Sequence, residues 1–340
     1  MRHRHVVIAV FDGVQGLDVF GPADVFYFAN YLAALADEDG AAYTVTVAAK
    51  EVGPVPTASG PSIHAERAVN DPTLRPDVFL VAGGLAVESA SADAGFVADV
   101  ANLAGRSGEV GSICSGAILL AEAGLLDGRR ATTHWASADL LADSYPQVTV
   151  EADQIYVQDG VWTSAGVTAG IDLALQLLRT HHGAEMAVEA ARNMVVYLQR
   201  AGGQQQFSTH LAAQQSSNPT IADVMAHIAD HPDADLSIRA LAETVSMSER
   251  SFQRIFAGET GTSPGKYVER CRLDAARVLL EQTEEGLASI AQRCGFRNQE
   301  TFLRAFRRLV GVTPTEYRRR FPRCTTAGGR DASEVVGALR

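Results

Sequence analysis

The last third of the chain contains one pattern written twice. Leu241-Ala242, followed by Ser248-Glu249-Arg250-Ser251-Phe252-Gln253-Arg254-Ile255-Phe256, leads to Gly261-Thr262-Ser263-Pro264 and Tyr267. Ile290-Ala291, then Cys294-Gly295-Phe296 and Thr301-Phe302-Leu303-Arg304-Ala305-Phe306, leads in the same way to Gly311-Val312-Thr313-Pro314 and Tyr317. From Phe252 and Phe302 onward the copies are 50 positions apart, whereas Leu241 and Ile290 are 49 apart. The second copy therefore carries one extra residue in its turn. A repeat has to be accounted for before any single motif, and two copies are too few to stack into a solenoid. Each copy is a small unit doing a job that is needed twice.

Each unit reads as two short helices and a tight turn. In the first, Ile238, Leu241, Ala242 and Val245 recur at helical spacing behind the cap Ser237. After the turn at Ser246-Met247, a second helix turns Phe252, Ile255 and Phe256 inward and leaves Arg250, Ser251, Gln253 and Arg254 outward. The second unit repeats the plan with a helix over Leu287–Cys294 and a turn through Gly295. Its second helix has Phe302, Phe306 and Leu309 inward, with Asn298, Gln299, Glu300 and Arg304 outside. This is helix-turn-helix syntax. The outward residues suit the major groove, where arginine pairs with guanine and asparagine or glutamine with adenine.

Residues Pro264 to Gln282 read as one helix with Tyr267, Cys271, Ala275, Val278 and Leu279 on a stripe. Such a rod is roughly 28 Å long, close to the ~34 Å of one duplex turn, and spaces two reading helices along one side of DNA. The segment from about Ile221 to Phe321 resembles an AraC-type transcriptional regulator domain. The likeness is carried by Ser248-Glu249-Arg250, Arg272-Leu273, Ala276-Arg277-Val278-Leu279-Leu280, Ile290-Ala291, Cys294-Gly295-Phe296 and Phe302–Arg308. It implies promoter DNA as partner, bound through both units.

Charge needs to be divided before it is read. The chain has net charge −11, which alone argues against nucleic acid. Residues 1–217 hold 11 Lys+Arg against 24 Asp+Glu, while residues 218–323 hold 16 against 14. Within 297–323 there are eight arginines, Arg308 among them, and two acids. That stretch is the expected phosphate-contacting surface.

The N-terminal part has another grammar. Short β-branched runs at Val6–Phe11, Tyr43–Ala49, Val78–Val81 and Glu109–Ile113 alternate with helical stretches such as Val19–Ala36 and Ala92–Ala104. That alternation predicts a mostly parallel sheet with helices on both faces. Ile155–Gln158 and Val161–Ser164, joined by Asp159-Gly160, predict a hairpin. Four spans follow: residues 1–200 as an α/β domain, 201–217 as linker, 218–323 as an all-α domain, and 324–340 as a disordered tail.

Gly111-Ser112-Ile113-Cys114-Ser115-Gly116-Ala117 ends a strand at a cysteine and starts a helix at once. This is the layout of a nucleophile elbow, and a helix N-terminus beneath the sulfur favours thiolate. Val81-Ala82-Gly83-Gly84 offers backbone amides toward an anion, Asp18 follows the first strand, and His134 lies in Thr132-Thr133-His134-Trp135. From about Val6 to His182 the chain resembles the ThiJ/PfpI branch of the class I glutamine amidotransferase-like fold. The resemblance implies a flavodoxin-like three-layer sandwich with Asp18 beside the elbow cysteine. Two residues depart from it: Ser115 stands where peptidase-like members have histidine, and Ala82 where proline is usual. Cys114, Asp18, Gly83, Gly84 and His134 are thus expected to line a ligand pocket or a vestigial active site.

The four cysteines show no metal-ligand or disulfide spacing, and neither a metal nor a cofactor is expected. No run approaches the length of a membrane span, and the first residues are too short for a signal peptide. The chain is expected in the cytoplasm, on the nucleoid when bound to DNA. A ThiJ/PfpI-type domain joined to an AraC-type domain resembles the GlxA-like branch of AraC-family regulators. That implies a homodimer, a small-molecule effector and control of DNA binding. A cysteine-dependent hydratase or amidase with an appended DNA-binding domain is the alternative.

Overall fold

The computed structural model describes residues 2–36, 42–152, 154–196, 200, 218–310 and 312–319, with residues 281, 282 and 319 described by backbone alone. The expected linker 201–217 and the tail 324–340 lie outside the described residues. The chain divides into two compact units, Met1–Gln215 and Ser216–Arg340, taken in turn.

In the first unit, strands β1 (Arg4–Ala9), β2 (Tyr43–Ala49), β5 (Arg67–Ala68), β6 (Val78–Val81), β7 (Glu109–Ile113), β10 (Tyr156–Gln158) and β11 (Trp162–Ser164) form one sheet. Their order is β10-β11-β7-β6-β1-β2-β5. All neighbours pair in parallel except β10 with β11, the expected hairpin. Val6, Val7, Ile8 and Ala9 are all buried, because a central parallel strand is covered on both faces. Val6 and Ile8 pack toward Val25, Phe26, Leu173 and Leu177 on helices α1 (Gly16–Leu35) and α6 (Ala169–His182). Val7 and Ala9 pack toward Phe96 and Leu103 on α3 (Ala94–Ala104) and Leu119 on α4 (Gly116–Glu122). This is the three-layer sandwich.

The first strand is displaced from its expected limits. Register pairing begins at Arg4 opposite Tyr43 and ends at Ala9; Val10 N–H still donates to Ala48 O at 2.8 Å, and Phe11 is apolar because it enters the core. The antiparallel pair β3 (Gly53–Pro56) and β4 (Ser62–Ala65), whose prolines and polar residues hide its strand character, was not anticipated. Beyond β6 come α2 (Val87–Ser91) and then α3; beyond α4 come β8 (Arg130–Ala131), α5 (Ala138–Ser144) and β9 (Thr149–Val150). Helix α7 (Ala184–Asn193) follows α6.

The second unit is helical: α8 (Pro219–Asp230), α9 (Ile238–Thr244), α10 (Glu249–Thr260), α11 (Pro264–Gln282), α12 (Leu287–Arg293), α13 (Gln299–Val310) and α14 (Pro314–Arg319). The repeat recurs in three dimensions. Phe252 stacks near Phe256 and Phe256 near Tyr267, with ring centres 5.5 Å apart in each pair. Phe302, Phe306 and Tyr317 reproduce this at 5.5 and 5.3 Å.

The extra residue of the second copy can now be located. Ser246 and Gly295 occupy the same left-handed position in their turns (φ 52° and 72°). Met247 N–H donates to Ala242 O as Phe296 N–H donates to Ala291 O, both at 2.9 Å. Ser248 Oγ then caps α10 by accepting from Ser251 N–H, and Asn298 Oδ1 accepts from Thr301 N–H at 2.8 Å. Arg297, between Phe296 and the cap, is the residue without a counterpart.

Two burial expectations need correction. On α11, Tyr267 and Cys271 are buried, but Val278 is exposed and Ala275 and Leu279 are half-buried. The covered side runs through Val268, Leu273, Ala276 and Leu280 instead, because α8, α12 and α14 all pack on this helix and widen its covered arc. On α13, Leu309 stays at the exposed edge and Val310 takes the inward position.

Candidate functional site

The surface of the two reading helices is built from the caps outward. Arg250, Gln253 and Arg254 on α10 are exposed, whereas Ser251 is half-buried and accepts from the Ser248 hydroxyl at 3.0 Å. At the second unit Asn298, Gln299, Glu300 and Arg304 are exposed. Asn298 has committed its carboxamide oxygen to the cap and to Thr301 Oγ1. Arg304 lies 4.0 Å from Glu300, both side chains open to solvent, an ion pair too screened to hold either.

The arginine-rich stretch is not uniformly free. Arg308 donates to Glu269 Oε2 of α11 at 2.6 Å, and Arg318 donates to Glu285 O at 2.6 Å. The first ties α13 to α11, and the second ties α14 to the turn between α11 and α12. Arg297 and Arg307 are exposed and have no partner among the described residues. Neither was singled out from the sequence as a base-reading candidate, although Arg297 is the one-residue slip itself.

In the first unit, β7 passes into α4 within two residues, and Cys114 takes the left-handed conformation this requires (φ 58°). The turn is possible because neighbouring backbones carry no side chain. A Cβ on Gly166 would lie 2.0 Å from Cys114 Cβ, and one on Gly116 would lie 2.2 Å from Val81 O. Asp18, in the first turn of α1, is fully buried. Its carboxylate accepts from Val167 N–H at 2.7 Å, from Gly83 N–H at 3.1 Å and from the Cys114 thiol. Gly84 N–H donates to Ser115 Oγ at 2.9 Å, and Ser115 Oγ returns a bond to Gly84 O at 3.0 Å.

Cys114, Asp18, Gly83 and Gly84 therefore come together, but they satisfy one another. The two amides expected to face an anion are engaged by Asp18 and Ser115. Burial and the adjacent Asp18 charge push the Cys114 thiol up to about 12, which overturns the thiolate expected from the helix N-terminus. Burial likewise raises Asp18 to about 7, against the pull of its two backbone donors and the thiol. His134 does not join this cluster. Its Nδ1 accepts from Ala136 N–H at 3.3 Å, capping a short 3₁₀ turn, and burial lowers its pKa. Its neighbour Thr133 donates to Cys114 O at 2.9 Å.

An open cavity of about 610 Å³ lies elsewhere, beyond the carboxyl ends of β1 and β2 and against α2 and α3. Its wall includes Asp12, Lys50, Glu51 and Asp93 and none of the five residues expected to form a pocket. Open α/β sheets place ligands outside the carboxyl ends of their strands, and no residue pattern signals which side of the Gly83–Ala86 loop is hollow.

A family model described as the DJ-1/PfpI family matches residues 4–180, and one described as a helix-turn-helix domain matches residues 241–320. The chain is 31% identical over 280 residues to the HTH-type transcriptional regulator CdhR of Pseudomonas aeruginosa, covering 82% of this chain and 83% of that protein. It is 35% identical over 179 residues to isonitrile hydratase of Pseudomonas putida, covering 52% of this chain and 72% of that protein. A THiJ/PfpI family protein from Pseudomonas syringae shares the fold, with a TM-score of 0.53 at 24% identity over 67% of this chain and 86% of that one. The chain belongs to the DJ-1/PfpI family, in the branch that carries an AraC-type helix-turn-helix domain and comprises transcriptional regulators.

Proposed function

We propose that this regulator reads promoter DNA with both helix-turn-helix units, as a homodimer on the nucleoid, and that a small effector bound by the DJ-1/PfpI domain sets that binding. The duplicated unit, with matched caps and matched aromatic triads about one linking helix, carries the reading. Arg250, Gln253 and Arg254 face the bases from the first unit, supported by Ser251, and Gln299, Glu300 and Arg304 face them from the second. Asn298 starts the second reading helix, and Arg308 braces it against α11. Different residues at equivalent positions, such as Arg250 and Glu300, give each protomer an asymmetric site. The test is binding of the full chain to the DNA upstream of its own gene across a salt series. Retained specific binding by the double variant Arg254→Ala/Arg304→Ala contradicts the reading.

The homodimer is supported by α1. Its sequence is mostly apolar, yet Leu17, Phe20, Tyr27 and Leu35 are exposed on one side, where Asp24 is the exposed charge among them. A second copy meeting the same stripe across a two-fold axis covers it. Phe20→Glu should yield a monomer in sedimentation.

One observation favours a second reading, a cysteine-dependent hydratase or amidase: the Cys114 thiol donates to Asp18, a carboxylate placed to take its proton. Turnover of an isonitrile that disappears in Cys114→Ser supports it. No turnover leaves the elbow as a closed, vestigial centre.

A further inference from the structure

The two copies of the repeat differ at the left-handed position of their turns. Ser246, in the first copy, is exposed. Gly295, in the second, is covered: a Cβ there would lie 2.2 Å from Pro232 O and 2.8 Å from Arg272 Nε. The backbone conformation alone does not demand glycine, because serine holds it in the first copy (φ 52° against 72°). The close approach of another backbone does. Pro232 lies between α8 and α9, so the turn of the second reading unit rests on the chain that enters the first.

Arg272 of α11 stitches this junction. Its Nε donates to Pro232 O at 2.9 Å and its Nη2 to Ala234 O at 3.3 Å. The side chain is half-buried, and burial pulls its pKa down against the opposing charge of Asp235. A charged donor sheltered in this way bonds more strongly than a neutral one. From the loop the position passes into α9: Asp235 Oδ1 accepts from Ser237 N–H at 3.0 Å, and Ser237 Oγ accepts from Ala240 N–H at 3.2 Å. From the turn it passes into α12, since Cys294 N–H donates to Ile290 O and Phe296 N–H to Ala291 O. The rod fixes how far apart the units stand, whereas contacts off its axis are needed to fix how each is turned about it.

We infer that Arg272 is a positioning residue, which with the Pro232–Gly295 approach sets the separation and relative rotation of the two reading helices. It acts through the loop before α9 and the turn after α12. The inference rests on the two-unit reading of DNA given above. One base pair of added separation turns a half-site by roughly 35° about the duplex, so a locked pair of units accepts one separation and an unlocked pair accepts several.

The test is selection of binding sites from a random duplex library by the full chain, unsubstituted and as Arg272→Met and Gly295→Ser. The unsubstituted chain should enrich two half-motifs per protomer at a single separation. Both variants should enrich the same half-motifs at separations spread by about one base pair either way. They should also bind the parent site about tenfold more weakly, at an unchanged salt slope. Arg272→Lys retains the charge and can keep one of the two carbonyl bonds, so its spread should fall between. Ser246→Gly, at the equivalent exposed position, should leave the separation as it is. Arg272→Met keeps the apolar stem and a folded chain, checked by circular dichroism, even if Gly295→Ser does not fold. A single separation in Arg272→Met overturns the assignment, as do altered half-motifs. A salt slope lower by about one in that variant also overturns it, by making Arg272 a phosphate contact. If the unsubstituted chain enriches no pair of half-motifs, the two-unit reading itself is sunk and the positioning role with it; a pair at one separation that every variant keeps sinks the positioning role alone.

Discussion

Arg200 grips the buried carboxylate of Asp172 with its main chain and its side chain together. Its N–H donates to Oδ1 at 2.7 Å and its Nε to Oδ2 at 2.9 Å, while its other guanidinium nitrogen reaches Thr168 Oγ1 at 2.9 Å. Thr168 follows Val167, whose N–H donates to Asp18. The Gly166–Thr168 loop is therefore held from the elbow on one side and by Arg200 on the other. Removing one partner of a buried pair leaves the other charge stranded, at a cost of roughly 3 kcal/mol. Arg200→Ala should lower the thermal midpoint of the full chain, and adding Asp172→Asn should recover part of it. An unchanged midpoint in the single variant contradicts the grip.

Asp18 makes stability depend on pH with a definite sign. Its folded value, about 7, lies above the ordinary 3.8. Between those limits the folded chain holds a proton at Asp18 that the unfolded chain releases, so the contribution of this group is fully present below about pH 4 and is lost as pH rises toward 7. The change is on the order of a few kcal/mol. Asp172, raised to about 6 by burial, acts in the same direction over the lower part of this window. Urea denaturation at pH 5 and pH 8 should show the loss in the native chain and a smaller loss in Asp18→Asn.

Arg297 is the structural form of the one-residue slip. It is exposed at the start of the second reading helix and has no counterpart in the first unit. Arg297→Ala should weaken binding to specific and random DNA alike and reduce the salt slope by about one. A change in base preference at unchanged salt slope would show that it reads sequence instead.

Ser246 holds a left-handed conformation that glycine holds in the second copy. A non-glycine residue there is strained by about 1–2 kcal/mol, offset in part by the greater chain entropy lost by glycine. Ser246→Gly should raise stability by roughly 0.5–1 kcal/mol, read as a higher urea midpoint at unchanged m-value.

Much of this was legible in the residues. Both helix-turn-helix units announce themselves because Phe252, Phe256 and Tyr267 must recur wherever the same small core recurs. The central strands are legible because burial on both faces leaves continuous apolar runs. The limits of β1 were not, since Phe11 is apolar for packing rather than pairing. Cys114, Asp18, Gly83 and Gly84 lie together in the structure, but whether they face a ligand or one another depends on close approaches that no spacing encodes. His134 was drawn in by its place in the chain, and its ring turned out to cap a turn. The cavity by Lys50 was invisible, because its wall is assembled from β1, β2 and α3 and its charges look like ordinary surface residues.

Two reading helices joined by one 19-residue rod form the proposed reading device, and a base-resolution footprint of the full chain on its own upstream DNA tests that most directly. Each protomer should protect two major-groove segments about 10–10.5 base pairs apart, with Arg254→Ala exposing one and Arg304→Ala the other. A single protected segment per protomer, or the same segment lost in both variants, would contradict it.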